Sequence, residues 1–458
     1  MSPTLPAKTQ DRIRAPLEPA ESPLMDLFAE FASMQGTAAV LLLIASVAGV
    51  AFATLEPDLY HDVLHFPMQF RIGDSALDWG LVEWINEGLM ALFFFLLGLE
   101  IKREVTVGQL REVRRSVVVV ACAAGGMLAP AAIYAAINWQ GLVYGWGIPI
   151  ATDTPFAYAA LLALGSRVPR PVPVFLVGLA IVDDVGAILA IALFYSAELD
   201  TGYLYSALAA WVALGLLNAL GVRNALVYGL AAVVLWWLVV QAGVHGTIAG
   251  VAAAIMAPVR PKVQPHSFVK RAVARLGHFQ AREKEQQGTD VFEDDVQDEA
   301  AQDLLVAAER VTSPLRRWER VLDRPVSFGI LPLFAFMNAG IDLHALDLAG
   351  MVHEPMAWGV FAGLVVGKPL GITLAGGLGL WLGLWRLPEG MTLHHLLGVG
   401  CLAGIGFTMS IFVAQLSFGA ADLLATAKAA IVIASLVACG LGMAVLVSPY
   451  SASPPRSG

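Results

Sequence analysis

The sequence predicts an all-α polytopic membrane protein of about twelve transmembrane helices, built as inverted repeats with two broken helices crossing at mid-membrane. Three observations predict it. Of 458 residues, 57% are hydrophobic and only 14% charged, whereas soluble chains carry about 25% charged residues. Apolar runs near the ~20 residues of a membrane helix recur along most of the chain. Two of those runs are interrupted by residues that break helices.

Residues 1–35 read as a cytoplasmic tail with a short amphipathic helix, its face formed by Leu24, Leu27, Phe28 and Phe31 behind a Ser22–Pro23 start. Spans are then expected around residues 46, 94, 127, 157, 183, 211, 233, 251, 334, 366, 404 and 435, within a transporter region covering 36–445. Between the first two, residues 55–82 form an external connection in which "FPMQFRIG" reads as a small hairpin. Residues 259–324 form a long cytoplasmic loop whose acidic run, "EKEQQGTDVFEDDVQDEAAQD", reads as solvated chain. Residues 446–458 form a second cytoplasmic tail.

Basic residues fix the expected orientation. One set of loops carries Lys102, Arg103, Arg111, Arg114, Arg115, Arg167, Arg170, Arg223, the 260–324 cluster and Arg386; the opposite set holds only Arg71. The basic side, with both termini, is expected in the cytoplasm. The net charge of −9 sits largely in the acidic loop, and nothing points to nucleic acid. Cys122, Cys401 and Cys439 all lie in apolar runs, so they read as packing residues. No cleavable signal peptide is expected.

Charges inside the spans carry the chemistry. Asp183 and Asp184 sit mid-way along "PVPVFLVGLAIVDDVGAILAIALFY", with Asp153 and Lys368 in other spans. Each such charge costs ~2.5–3.5 kcal/mol on insertion scales. Helix–helix hydrogen bonding could be had more cheaply from Ser, Thr or Asn. A structural Asp–Lys pair would account for Lys368 and one Asp, but not for three Asp against one Lys. The surplus carboxylates call for a cation or a proton. Adjacent helical residues point about 100° apart, so one aspartate can face a cavity while the other meets the fixed charge of Lys368. Hard cations and protons then compete for the same oxygens.

The interruptions are "ATDTP", where Thr152 and Asp153 precede Pro155, and "GIGFT", from Gly404 through Ile405, Gly406 and Phe407 to Thr408. Proline removes a backbone donor and disfavours helix just before it. Unpaired backbone at membrane depth is tolerated where it lines a cavity or meets partners. A Gly-rich span alone would signal close helix packing; paired with "ATDTP" it points to a second break.

Taken in order, "INEGLMALFFFLLGLEIKRE", "ATDTPFA", "LGSRVP", "LAIVDDVGAI", "GVHGTIAG", "ILPLFAFMNAG", "GKPLGI", "LPEGMT" and "GIGFTMSIF" resemble the NhaA sodium/proton antiporters over about residues 36–445. The resemblance implies a twelve-span transporter of the bacterial inner membrane, not an enzyme. It would expel Na⁺ or Li⁺ against a larger number of incoming protons, with no cofactor. Asp183 and Asp184 would be the cation and proton site, Asp153 would offset the facing helix ends, and Lys368 would pair with Asp183. Glu87 would help line a cytoplasmic funnel, with Glu100, Lys102, Arg103, Glu104 and Glu319 in pH sensing. An ordinary snorkelling interfacial group is the alternative for Glu100–Glu104. His245 matches a family histidine near the outer surface, where a structural role is the alternative. Partners would be the ions, the lipid bilayer and a second copy joined through residues 55–75.

One departure stands out. The family commonly has Glu-His-x-x-His-Pro before the ninth span; here "WERVLDRP" keeps Glu319, puts Arg320 and Asp323 at the histidine positions, and adds Arg324. Control by pH is therefore expected to be shifted, weakened or moved to the glutamates. A Na⁺- or H⁺-coupled solute symporter is the runner-up function, disfavoured because no polar cluster fits a solute. An intramembrane aspartic protease using Asp153 and Asp184 lacks the usual Gly-x-Gly-Asp stretch. An open channel would hold its ion too tightly.

Overall fold

The computed structural model describes residues 23–72, 75–108, 113–195, 199–260 and 312–448. The acidic run and the chain ends lie outside these. Helix α1, Pro23–Leu55, is continuous. The amphipathic segment expected as a separate surface helix therefore runs directly into the first span. Helix α2, Pro57–Leu64, leads to strands β1, Pro67–Ile72, and β2, Ser75–Gly80. These pair antiparallel with Met68 opposite Trp79, the hairpin expected at "FPMQFRIG". Phe70 and Trp79 pack edge-on against Trp84, and Trp236 completes the aromatic cluster. Such amphipathic rings favour the membrane–water boundary.

Helix α3, Leu81–Thr106, contains a π turn at Trp84–Leu89. Helix α4, Val113–Ile137, follows. A 3₁₀ segment, Val143–Ile150, then gives way to α5, Thr154–Ala163, across an extended stretch at Ala151–Asp153. Helices α6, Pro171–Phe194, and α7, Thr201–Ala219, are long apolar spans. Helices α8, Ala225–Gln241, and α9, Gly246–Met256, are shorter. Asp200 caps α7 by accepting from the Gly202 and Tyr203 N–H groups, and Asn224 caps α8 by accepting from the Leu226 N–H.

Helix α10, Pro314–Pro325, enters a π turn at Val326–Ile330 and continues as α11, Leu331–Asn338. A π turn accommodates one extra residue in a helix, and this one begins directly after Pro325. Helix α12, Pro355–Trp381, has its own π turn at Gly363–Gly367, immediately before Lys368. Pro369 withholds the N–H that would otherwise bond back into that turn. Helices α13, Leu393–Ala403, and α14, Phe407–Ser417, are separated by a short break and bent by 52° relative to each other. Helix α15, Ala421–Val447, is the last.

Among the described residues, seven helices are long and apolar enough to cross a membrane, and the bent pair makes an eighth where it is counted as one span. The remaining expected spans, near residues 157, 233, 251 and 334, fall on interrupted or short helices, so length and composition do not establish a count of twelve. The core gathers around the two interruptions: Ile148, Ala151, Leu179, Leu364, Ala403 and Phe412 are all buried there.

Candidate functional site

The first interruption supplies its own polar groups. Thr152 and Asp153 stand where the chain is extended, and both are buried. Asp153 is the N-cap of α5, and its Oδ1 accepts from the Phe156 N–H at 3.4 Å. Its Oδ2 accepts from the Thr408 N–H at 2.9 Å and from the Thr408 hydroxyl at 2.5 Å. One carboxylate thus caps two half-helices, α5 and α14, whose positive N-terminal ends would otherwise face each other. The two interrupted stretches also join directly, Asp153 N–H donating to the Ile405 carbonyl at 2.6 Å.

The second interruption borrows. Thr152 donates toward the Ala403 carbonyl at the end of α13, 3.0 Å away. The Phe407 N–H donates to the Ser435 hydroxyl of α15 at 3.2 Å. The Ser410 hydroxyl donates to the Ile148 carbonyl at 2.7 Å, closing the end of the 3₁₀ segment. A Cβ at Gly404 would stand 2.4 Å from the Leu364 carbonyl oxygen, so only glycine lets α12 approach this closely. Gly404, Ile405 and Gly406 form the bend itself, while Phe407 and Thr408 already belong to the first turn of α14.

Lys368 is delivered to this crossing by α12 and is completely buried. Its Nζ donates to Asp183 Oδ2 at 2.8 Å and also to the Thr152 hydroxyl oxygen. Thr152 in turn lies 2.8 Å from the same Asp183 oxygen. Thr152 has one proton and so can satisfy Asp183 or Ala403, but not both fully. Among the described residues, the buried Asp183 Oδ1 has no hydrogen-bond partner. Asp184 points away, as the helical angle requires, and its side chain makes no hydrogen bond among the described residues; it is 7% exposed. The pair therefore divides as its geometry demands: one aspartate is tethered to an ammonium, the other is unengaged.

The remaining candidates separate along α3. Arg103 pairs with Glu104 at 3.2 Å and with Glu319 of α10. Lys102 caps the end of α9 through the Ala257 carbonyl at 2.6 Å. Burial raises the Glu319 carboxyl above its ordinary value, with Arg103 opposing the shift. Glu100 lies one turn before this cluster.

Glu87 does not belong with it. It sits in the π turn near the opposite end of α3, where its Oε1 meets His245 Nδ1 at 2.6 Å and its Oε2 accepts from the Gly246 N–H at 2.6 Å. Thirteen positions of helix, about 20 Å, separate it from Glu100. Both ring nitrogens of His245 face acceptors, the second being the Tyr195 carbonyl at 3.0 Å. Burial pulls the His245 pKa down, but the hydrogen bond and charge of Glu87 outweigh it and the net shift is upward.

Sequence reasoning missed three side chains. Ser410 and Ser435 looked like ordinary small residues in apolar helices. Lys428, buried in α15 with its Nζ 3.4 Å from the Gly340 carbonyl, is a second intramembrane lysine. The signal for it was present in "ATAKAAIVIAS", two turns inside the helix, where a lysine is easily taken for one that reaches the surface.

Fold and site define a multi-pass membrane protein with charged groups enclosed where two broken helices cross. The model of the Na⁺/H⁺ antiporter 1 family matches residues 29–446. "Na(+)/H(+) antiporter NhaA 1" of Pseudoalteromonas atlantica is 41% identical over 441 residues, covering 94% of this chain and 92% of that protein. "Na(+)/H(+) antiporter NhaA 2" of Sorangium cellulosum is 42% identical over 423 residues, covering 91% and 88%. "Na(+)/H(+) antiporter NhaA" of Oleidesulfovibrio alaskensis is 41% identical over 417 residues, covering 91% and 92%. The chain belongs to the Na⁺/H⁺ antiporter 1 family. These relatives carry the names of transporters rather than enzymes.

Proposed function

We propose that this chain exchanges cytoplasmic Na⁺ or Li⁺ for external H⁺ across the bacterial plasma membrane, with both termini in the cytoplasm, by alternating access around Asp183 and Asp184. Family membership supports the exchanged ions. The observation that carries the site is the pairing of an unpartnered buried oxygen, Asp183 Oδ1, with the unengaged carboxylate next to it.

Each cation satisfies that arrangement in turn. With protons bound, Asp184 is neutral and needs no partner, and Asp183 shares the ammonium of Lys368. A sodium ion requires several oxygens; Asp184, Asp183 Oδ1 and the Thr152 hydroxyl are the nearest available. Its charge displaces the Asp184 proton and drives a second proton off the Asp183–Lys368 pair, since a cation and an ammonium repel across one carboxylate. The ion and the protons therefore never occupy the site together, which makes the carrier an exchanger.

The broken helices allow that change to reach both membrane faces, because Asp153 ties the two half-helices into one body. A surplus of one inward charge per cycle gains ~2.3 kcal/mol per 100 mV of membrane potential. Exchange is then electrogenic and continues when the outside is alkaline. In dye-loaded proteoliposomes, Na⁺ should cause proton movement that Asp184→Asn abolishes. Normal exchange by that variant would remove Asp184 from the site.

A further inference from the structure

We propose that Asn86, Asn338 and Gln415 form a latch that closes the outer path to the crossing, and that the amide of Gln415 parts from the other two in each exchange cycle. The inference rests on the exchange reading above and adds the residues that shut one side of the carrier.

The observation is a set of three side-chain amides, one from each of three helices, bonded to one another. Asn86 of α3 donates to Asn338 Oδ1 at 3.3 Å and to Gln415 Oε1 at 3.1 Å. Asn338, the last residue of α11, donates back to Asn86 Oδ1 at 2.8 Å and to the Phe334 carbonyl at 3.0 Å. Gln415 of α14 donates to Asn338 Oδ1. Both lone pairs of Asn338 Oδ1 are thereby used, and the side-chain protons of Asn86 and Asn338 are all placed. The amides interlock in one sense only, since turning Gln415 over would set its NH₂ against that of Asn86.

Their position gives the set a task. Gln415 lies seven residues beyond Thr408 on α14, about 10 Å from the crossing along the helix axis. Asn86 follows Trp84 by two residues, and the Trp84 indole donates to the Met68 carbonyl of the hairpin at 2.9 Å. The amides therefore stand between the crossing and the hairpin face. One turn nearer the crossing, the Phe412 ring of α14 packs against Phe94 of α3 and Phe334 of α11, with centroids 5.7 and 6.0 Å apart.

Each of the three helices is anchored to different neighbours. Helix α3 is held by α8 and α9: the Trp236 indole donates to the Glu87 carbonyl at 2.8 Å, and no Cβ would fit at Gly250 against the Ala91 carbonyl. Helix α11 is held by α1 and α2: no Cβ would fit at Gly49 against the Phe336 carbonyl, and the Tyr60 hydroxyl donates to the Met337 carbonyl at 2.5 Å. Helix α14 is held at the crossing, through Asp153 at Thr408 and the Ile148 carbonyl at Ser410. Gln415 thus joins the half-helix that starts at the site to two helices anchored elsewhere. An uncharged junction suits a contact that opens repeatedly, because parted amides recover hydrogen bonds from water and the net cost is small.

The test uses the full chain in proteoliposomes whose two faces are addressed separately. Gln415→Leu keeps the bulk and removes the amide, while Asn86 and Asn338 stay paired with each other. Losing about one net hydrogen bond shifts a two-state equilibrium about fivefold. Half-saturation by Na⁺ added outside should fall by up to about fivefold, and the cytoplasmic value should rise by less, because the minor state gains most. A second readout does not depend on transport. Phe412→Cys, on the crossing side of the latch, should react about fivefold faster with an impermeant thiol reagent added outside when combined with Gln415→Leu than when alone. A second variant covers loss of folding in the first: a short bis-methanethiosulfonate joining Asn86→Cys to Gln415→Cys should stop exchange, and a reductant should restore it. Equal changes of affinity at both faces, unchanged labelling from outside, or continued exchange by the cross-linked pair would overturn the latch. A parent with no Na⁺-driven proton movement from either face would instead overturn the exchange reading, while the labelling comparison still tests the latch.

Discussion

The two interruptions meet the same difficulty with different material. The first is made by Pro155; Asp153 caps the half-helix that follows it, and the second break supplies only the Ser410 hydroxyl for the Ile148 carbonyl and the Ile405 carbonyl for the Asp153 N–H. The second is made by Gly404 and Gly406 and depends on groups from elsewhere: Asp153 for the Thr408 N–H, Ser435 for the Phe407 N–H, and Thr152 for the Ala403 carbonyl. The lesson is one of hierarchy. Changes in the first break should damage both, whereas changes that touch only the second should stay local.

Lys368→Ala should have the largest effect, because it leaves the Asp183 carboxylate buried without its ammonium. Breaking a buried pair from one side costs about 3–5 kcal/mol, to be read as a lowered midpoint of thermal unfolding in detergent. Asp153→Ala comes next. It strands two backbone N–H groups and a hydroxyl, at about 1–3 kcal/mol for each unsatisfied group that finds no water. Hydrogen exchange should rise at the starts of both α5 and α14. Protection lost at α5 alone would contradict the shared cap. Ser435→Ala should cost only about 1 kcal/mol, with the change confined to α14.

The Glu87–His245 contact lies outside the crossing and provides a control with a pH signature. His245 titrates above its ordinary value in the folded protein. Its contribution is complete below the unfolded pKa, about 6.5, and fades as pH rises through the folded value. Glu87→Gln should therefore lower the unfolding midpoint more at about pH 6 than at about pH 9. Equal losses at both would mean the contact is held by Gly246 alone.

Legibility in the sequence followed the same hierarchy. Asp183, Asp184 and Lys368 were conspicuous because a charge in an apolar run has few inexpensive explanations. Pro155 marked the first break, and its partners are adjacent in the chain. The double capping by Asp153 was harder to read: the Thr408 N–H lies 255 residues away, and no periodicity connects them. Ser410 and Ser435 gave no signal, since small hydroxyl residues are common in membrane helices. The π turns before Lys368 and around Glu87 were invisible because local composition does not distinguish them from α-helix.

The proposed exchange requires sodium and protons to compete for the aspartates at the crossing. Calorimetric titration of the purified protein with NaCl, repeated at several pH values in buffers of different ionisation enthalpy, measures affinity and proton release together. The expected result is weaker Na⁺ binding as pH falls, protons released at each binding event, and no binding heat in Asp184→Asn. Binding of equal strength at every pH, with no proton release, would contradict it.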